Sequence, residues 1–298
     1  MSKKALTIIV TYNGAKWLPT CMEGYAGIRE WSDLVVVDNA STDNTVDIIK
    51  DKYADLVDYL LTENGNLGFG RAHNLVFSAP WAQQYDYYFL LNQDASIEAD
   101  SFRLLLQTAA ANPDFGILSP LHRYTDERLD FRFERYVSGS LKRQAGKSLV
   151  DVNFVNAAIW LIDRRLIERI GGFNPVFAHY GEDANFAERT KLAGFKIGVV
   201  PAATGYHLRE QLPSKSNIDR SPYKQKTVAI AALVSPRGSF RSNLLEVVRQ
   251  YTLLIGKLTL RGRFDKAGQH AAQLVELMKN TAYYKKYHVL QFSFGDIL

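Results

Sequence analysis

Short apolar runs alternate with longer stretches of mixed polarity through the first half of the chain. Ala5–Val10, Leu34–Val37, Val57–Leu61, Tyr87–Leu91 and Phe115–Leu118 are apolar at successive positions rather than at every second one. Strands sandwiched between helix layers have that pattern, because both of their faces are buried. The stretches between them, near residues 15–27, 43–53, 70–79 and 98–111, read as helices. The alternation predicts an α/β domain on a mostly parallel, Rossmann-like sheet with helices on both faces. After Pro120 the periodicity fades into a charged and aromatic stretch, 121–150, with Arg123, Arg128, Arg132, Arg135, Lys142 and Arg143, read as a loop or hairpin. Regular structure returns at Phe154–Ile162, then a helix over Asp163–Ile170 stopped by Gly171-Gly172. A further helix opens near Glu182 and closes at Gly194, ahead of a strand at Lys196–Val200. From about residue 225 the chain reads as helical, with Ala267, Ala271, Leu274 and Met278 sharing one face. Two parts result: an α/β domain over 1–224 and a C-terminal helical region over 225–298.

Charge sharpens that division. Residues 1–224 hold 25 Lys+Arg against 27 Asp+Glu, whereas residues 225–298 hold 11 against 4, so a nearly neutral body carries a tail of +7. A basic tail of this kind suits an acidic surface such as anionic lipid headgroups, or it is simply a solvated helical face. One cysteine, Cys21, excludes an internal disulfide and a cysteine-rich zinc site. No apolar run reaches the length that spans a bilayer, and the first strand begins too early for a signal-peptide core. A cytoplasmic protein is expected, with peripheral contact on the inner membrane face and no nucleic-acid partner.

In open parallel sheets ligands collect beyond the carboxyl ends of the strands, and here those ends are polar. The first strand empties into Thr11-Tyr12-Asn13-Gly14, the second into Asp38-Asn39-Ala40-Ser41-Thr42-Asp43 and the fourth into Asn92-Gln93-Asp94. The first turn lacks the G-x-G-x-x-G spacing of a dinucleotide-binding dehydrogenase. Asp38 can accept hydrogen bonds from a base or ribose, or can serve the turn and the next helix as a cap. The stretch Glu63-Asn64-Gly65-Asn66-Leu67-Gly68-Phe69-Gly70-Arg71 can bring amides and a guanidinium to a diphosphate. Asp94 suits a hard divalent cation bridging two phosphates, or the N-cap of a following helix. His207 can supply an imidazole to the same ion or fill a structural role. Glu182 and Asp183 open a helix, where a carboxylate stays ionised and can take a proton from a hydroxyl, or merely compensates the helix dipole.

In their order these segments resemble the family-two inverting glycosyltransferases of the GT-A fold, in particular the bacterial rhamnosyltransferase-like branch, over roughly residues 5–210. The resemblance rests on Ile9-Val10-Thr11-Tyr12-Asn13, Val36-Val37-Asp38-Asn39-Ala40-Ser41-Thr42-Asp43, Asn64–Gly70, Leu91-Asn92-Gln93-Asp94 and Gly181-Glu182-Asp183. It implies that Thr11, Tyr12, Asn13, Asp38 and Asn39 line the nucleotide pocket, and that Asn66, Gly68, Arg71, Asn92 and Gln93 lie along the donor. It implies a Mn²⁺ or Mg²⁺ ion on Asp94 and His207, with Asn92 standing where the D-x-D-type motif has its first acid. Asp183 is implied as the base of a single inverting displacement, with Glu182 on the acceptor side. The implied donor is dTDP-rhamnose or a UDP-hexose, and the implied acceptor is a hydroxyl of a cell-envelope glycan or lipid-linked precursor. Two other readings stay open: a sugar-phosphate nucleotidyltransferase, although its basic glycine-rich loop after the first strand is missing, and a non-catalytic nucleotide-sugar-binding module.

Overall fold

Strand β1 (Ala5–Thr11) lies inside the sheet of the computed structural model, which describes residues 5–62, 65–124, 127–208 and 222–297. Its parallel neighbours are β2 (Ser32–Asp38) on one side and β4 (Tyr87–Leu91) on the other, with β3 (Tyr59–Leu61) parallel to β2 at the edge. Alternate residues of a strand face opposite sides. Leu6, Ile8, Val35 and Val37 enter one apolar core, and Ala5, Ile9, Leu34 and Val36 enter the other. Both faces are therefore dry, which is why these strands read as unbroken apolar runs. Helices α1 (Leu18–Ala26), α2 (Thr45–Lys52) and α4 (Ala99–Ala111) cover the second face. The first is covered by α3 (Gly68–Phe77), α5 (Phe131–Arg143), α6 (Arg164–Ile170) and α7 (Glu182–Leu192).

Beyond β4 the sheet becomes mixed. β8 (Ile159–Asp163) runs antiparallel to both β4 and β6 (Phe115–Arg123), and β6 pairs in parallel with the long β9 (Lys196–His207). Two short strands, β5 (Ala95–Ile97) and β7 (Val150–Val152), are antiparallel to β9. The order across the sheet is β3-β2-β1-β4-β8-β6-β9-β5. β9 continues past Val200, its expected end, through Pro201. The β6–β9 register jumps from Pro120↔Val200 to Leu121↔Thr204, so the bulge absorbs the proline and the strand goes on to His207.

Two expectations need correction. The stretch 121–150 is not a loop or hairpin, since it ends β6 and then forms α5. Asp130 caps that helix by accepting from the amides of Arg132 and Phe133, and Phe133 and Val137 are its buried stripe. In the tail, α8 (Pro222–Val234), α9 (Phe240–Leu260), α10 (Phe264–Lys279), α11 (Thr281–Lys286) and α12 (Phe294–Ile297) confirm the helical reading. The inward face of α10, however, is Ala267, His270 and Leu277, while Met278 is exposed. A third core of Leu233, Val247, Tyr251, Leu277 and Tyr284 also includes Phe177, from the loop ahead of α7. The helices are thereby packed onto the segment that presents Glu182 and Asp183. No helix among the described residues is long and apolar enough to cross a membrane.

Candidate active site

Parallel pairing of Thr11 with Asp38 ends β1 and β2 side by side, so their loops leave from one edge of the sheet. Asp38 is buried there and held at both oxygens. The Thr11 hydroxyl donates to Oδ1 at 2.8 Å, the Ser41 hydroxyl to the same oxygen at 2.5 Å, and the Ser41 amide to Oδ2 at 2.9 Å. Asp38 therefore organises its turn, but the cap of α2 falls on Asn44. Asn13 adopts φ 48° and closes the same loop by accepting the Thr42 amide at 2.8 Å. The Asn39 amide donates to the Thr11 carbonyl at 2.8 Å, and its side-chain oxygen accepts the Leu67 amide at 3.2 Å, which ties the glycine-rich segment to this edge. Tyr12 leaves its ring half-exposed while its backbone pairs with the Gln93 amide group, N to Oε1 at 2.9 Å and Nε2 to O at 3.1 Å.

That amide pair joins the nucleotide end to Asp94. The residue following Asp94 begins β5, not a helix, and α4 starts only at Ala99 behind Glu98. An N-cap role for Asp94 is thereby removed. Because Ala95 pairs with His207 across β5 and β9, the imidazole reaches Asp94, with Nε2 3.5 Å from Oδ2. The other ring nitrogen, Nδ1, lies 3.3 Å from Oδ2 of the fully buried Asp130. Among the described residues no group of three His, Cys, Asp or Glu side chains gathers to hold an ion by itself.

The third part of the site is the loop into α7. Asn74 grips Phe173 by both backbone groups, at 2.7 and 2.8 Å, and the buried Arg189 donates to the carbonyls of Ile170 and Gly172. Burial pulls the Arg189 guanidinium down to about 9. Arg71 is exposed, and its Nε and Nη2 donate to the Pro175 carbonyl at 3.1 and 2.8 Å. Gly68, at φ 74°, passes so near Ala178 that a Cβ would stand 2.6 Å from the carbonyl oxygen, while Asn66 accepts the Gly68 amide at 3.0 Å. α7 then opens at Gly181, φ 94°. Glu182 is buried, its Oε2 lacks a hydrogen bond among the described residues, and burial followed by the charge of Asp183 pushes its carboxyl up to about 7. Burial also raises Asp183, opposed by hydrogen bonds from the backbone of Ala184, at 2.7 Å, and of Ala157. The neighbouring Ala158 carbonyl accepts the Asn92 amide at 2.9 Å, two residues before Asp94.

With this geometry in place, comparison with known proteins is decisive. The family model "Glycosyl transferase family 2" matches residues 7–171, more than half of the chain. The chain belongs to this family. It is a glycosyltransferase that draws on a nucleotide-sugar donor, and its fold is the GT-A fold. It is 23% identical over 274 residues to N-acetylglucosaminyl-diphospho-decaprenol L-rhamnosyltransferase of Mycobacterium tuberculosis, covering 82% of this chain and 88% of the relative. Similar solved structures include S. aureus TarS 1–349 in complex with UDP, with TM-score 0.57, 16% identity and coverage of 98% and 91%. Another is the mannosyltransferase PcManGT from Pyrobaculum calidifontis in complex with GDP-Man and Mn²⁺, with TM-score 0.59, 17% identity and coverage of 97% and 85%.

In this glycosyltransferase, hydrogen bonds, chain connectivity and one His–Asp contact link the segments singled out in the sequence. Asp38 leads through Thr11 and Tyr12 to Gln93 and Asp94, Asp94 to His207, and Asn92 through the Ala157-Ala158 segment to Asp183. Glu182 is buried beside Asp183, and Arg71 is exposed with its guanidinium on the Pro175 carbonyl. Sequence reasoning missed Ser41 as a second anchor of Asp38, and it missed Asp130 behind His207. The signal for Asp130 was present: an acid directly before Phe131, with Phe133 and Val137 at helical spacing, marks a helix start.

Proposed function

We propose that residues 1–224 form the catalytic domain of an inverting transferase that moves rhamnose from dTDP-rhamnose, or a hexose from its UDP conjugate, to a hydroxyl of a lipid-linked glycan precursor. One observation supports the reading: Asp38, the Asp94–His207 pair and Asp183 are tied together through Thr11, Tyr12, Gln93 and the Asn92–Ala158 hydrogen bond at the carboxyl edge of the sheet. The rhamnosyltransferase name of the relative, with its diphospho-decaprenol acceptor, supports the choice of sugar and acceptor class.

Asp38 receives the ring N–H of uracil or thymine, with Tyr12 beside the base and Thr11 and Ser41 fixing the carboxylate. Asn13 and Asn39 shape the same pocket, and Asn66, Gly68, Arg71, Asn92 and Gln93 line the course of the donor. Asp94 and His207 suit a Mn²⁺ or Mg²⁺ ion, since they offer one hard oxygen and one imidazole nitrogen. When bound, the ion would neutralise the departing nucleoside diphosphate. Asp183 accepts the proton of the acceptor hydroxyl as that oxygen attacks the anomeric carbon from the face opposite the leaving group, which inverts the configuration. Burial raises its basicity, and the two backbone hydrogen bonds hold the carboxylate in one orientation.

A panel of nucleotide-sugars, screened by thermal shift with and without Mn²⁺ and followed by transfer assays on Asp183→Asn, tests the assignment. A cognate donor raises apparent stability by mass action. The variant should keep that shift and lose transfer by about 10²–10⁴-fold. Undiminished transfer by Asp183→Asn would remove Asp183 as the base, and a protein stabilised by no nucleotide-sugar would overturn the donor assignment.

A further inference from the structure

The tail's charge and its exposed apolar surface coincide at one place, the tip of the hairpin made by α9 and α10. Along α9, Val247 and Tyr251 face the third core. The opposite stripe carries Leu245, Leu253 and Leu260, exposed at 71%, 60% and 91%, and Phe264 at the start of α10 is exposed at 67%. At ~100° per residue, Leu245, Leu253 and Leu260 fall within one narrow sector of the helix. A shallow groove along this stripe is lined by Thr252, Leu253, Gly256, Lys257, Leu260 and Arg261. Between residues 252 and 266 the chain holds four cations, Lys257, Arg261, Arg263 and Lys266, against the single acid Asp265. None of the four forms an ion pair among the described residues, whereas Arg249, further back, is matched by Glu246.

Large apolar side chains ringed by unpaired cations form a surface that water solvates poorly and that a folded acidic interface or an anionic bilayer complements. A second copy of this chain docking tip to tip would bring like charges together, which argues against self-association. We propose that the α9–α10 tip is a peripheral membrane-docking surface, with Leu253, Leu260 and Phe264 entering the acyl boundary and the four cations meeting anionic lipid phosphates. The inference deepens the reading of a lipid-linked acceptor. The helical region carrying the tip is packed through Phe177 onto the loop that leads to Asp183, so docking would hold the catalytic domain at the surface where such an acceptor lies.

The test uses the full chain and vesicles free of any acceptor: phosphatidylcholine alone, and phosphatidylcholine mixed with phosphatidylglycerol. Flotation is expected only with the mixed vesicles. It should weaken by at least about tenfold in the quadruple variant Lys257→Glu, Arg261→Glu, Arg263→Glu, Lys266→Glu, and again in Leu260→Ser with Phe264→Ser. All six positions are exposed, so both variants should retain the wild-type melting temperature and the wild-type rate of donor hydrolysis in solution. That rate separates a failed docking surface from a failed catalytic assignment. Equal flotation with both vesicle types, equal flotation of the variants, or a concentration-dependent dimer abolished by Leu260→Ser would each overturn the proposal.

Discussion

His207 turns Nδ1 toward the carboxylate of Asp130, 3.3 Å away and fully buried, while Nε2 faces Asp94 at 3.5 Å. A carboxylate behind a ligating imidazole fixes its tautomer and orientation and raises its basicity, and losing such a partner typically weakens metal affinity 10–100-fold. Asp130→Asn should therefore raise the Mn²⁺ dissociation constant by about that factor, measured calorimetrically with nucleoside diphosphate present. Asparagine caps a helix about as well as aspartate, so α5 and the melting temperature should be nearly unchanged. An unaltered Mn²⁺ affinity would show that Asp130 serves only the helix.

Asp38 accepts three hydrogen bonds from Thr11 and Ser41, which leaves its orientation no freedom. In Asp38→Asn the amide NH₂ must face one of those donors or the base N–H. The expected loss of affinity for UDP and dTDP is about 1.5–3 kcal/mol, the range for hydrogen bonds to a charged group, or roughly 10–150-fold. Discrimination against CDP, whose ring nitrogen is an acceptor, should shrink with it. Titration calorimetry with the three nucleotides decides the matter, and equal dissociation constants for wild type and variant would separate Asp38 from base recognition.

The glycine-rich segment offers a matched pair of substitutions. Gly65 and Gly68 both have positive φ, at 63° and 74°, but a Cβ on Gly65 meets nothing within 4 Å whereas one on Gly68 collides with the Ala178 carbonyl. Gly65→Ala should cost only the backbone term, ~1 kcal/mol. Gly68→Ala should cost about 2–3 kcal/mol and also raise the donor KM, because the collision pushes the glycine-rich segment away from the loop into α7. Denaturant melts and donor saturation curves on both variants provide the comparison. Equal destabilisation by the two would mean that the contact with Ala178 is soft.

Sequence pattern disclosed the parallel half of the sheet and the polar strand ends because both follow from local rules. A strand buried on two faces must be apolar throughout, and a ligand edge must be polar. The antiparallel half was less visible: β5 and β7 are three residues long, and their places depend on pairing with β9, more than forty residues away in the chain. Asp94 illustrates the same limit. An acid after an apolar strand is equally consistent with a metal ligand and a helix cap, and only β5 intervening before α4 separates the two. α5 escaped because its inward stripe is narrow, Phe133, Val137 and Ser140, while arginines dominate the rest. The chemistry of Arg71 suits a diphosphate, whereas its hydrogen bond to the Pro175 carbonyl, 104 residues away, follows from no local rule.

Glu182 should make the protein less stable as pH rises through the weakly acidic range. Its carboxyl is pushed from an ordinary 4.5 to about 7 by burial and by Asp183, and its Oε2 lacks a hydrogen bond that would offset ionisation. Between those two values the folded chain holds a proton that the unfolded chain has released, so stability falls with increasing pH in that window. Below pH 4.5 the contribution is fully present; above about pH 7 it is gone. The span corresponds to about 3 kcal/mol at most. Glu182→Gln keeps the shape and cannot ionise, so the variant should match wild type near pH 4.5 and exceed it by ~1–3 kcal/mol at pH 8. Urea unfolding of both proteins across this range reads the effect, because carboxylates not coupled to Glu182 titrate alike in both, and the difference reports Glu182 together with its coupling to Asp183. Parallel stability curves would show that Glu182 titrates alike in the folded and unfolded chain, and that its carboxylate is better solvated than its burial implies.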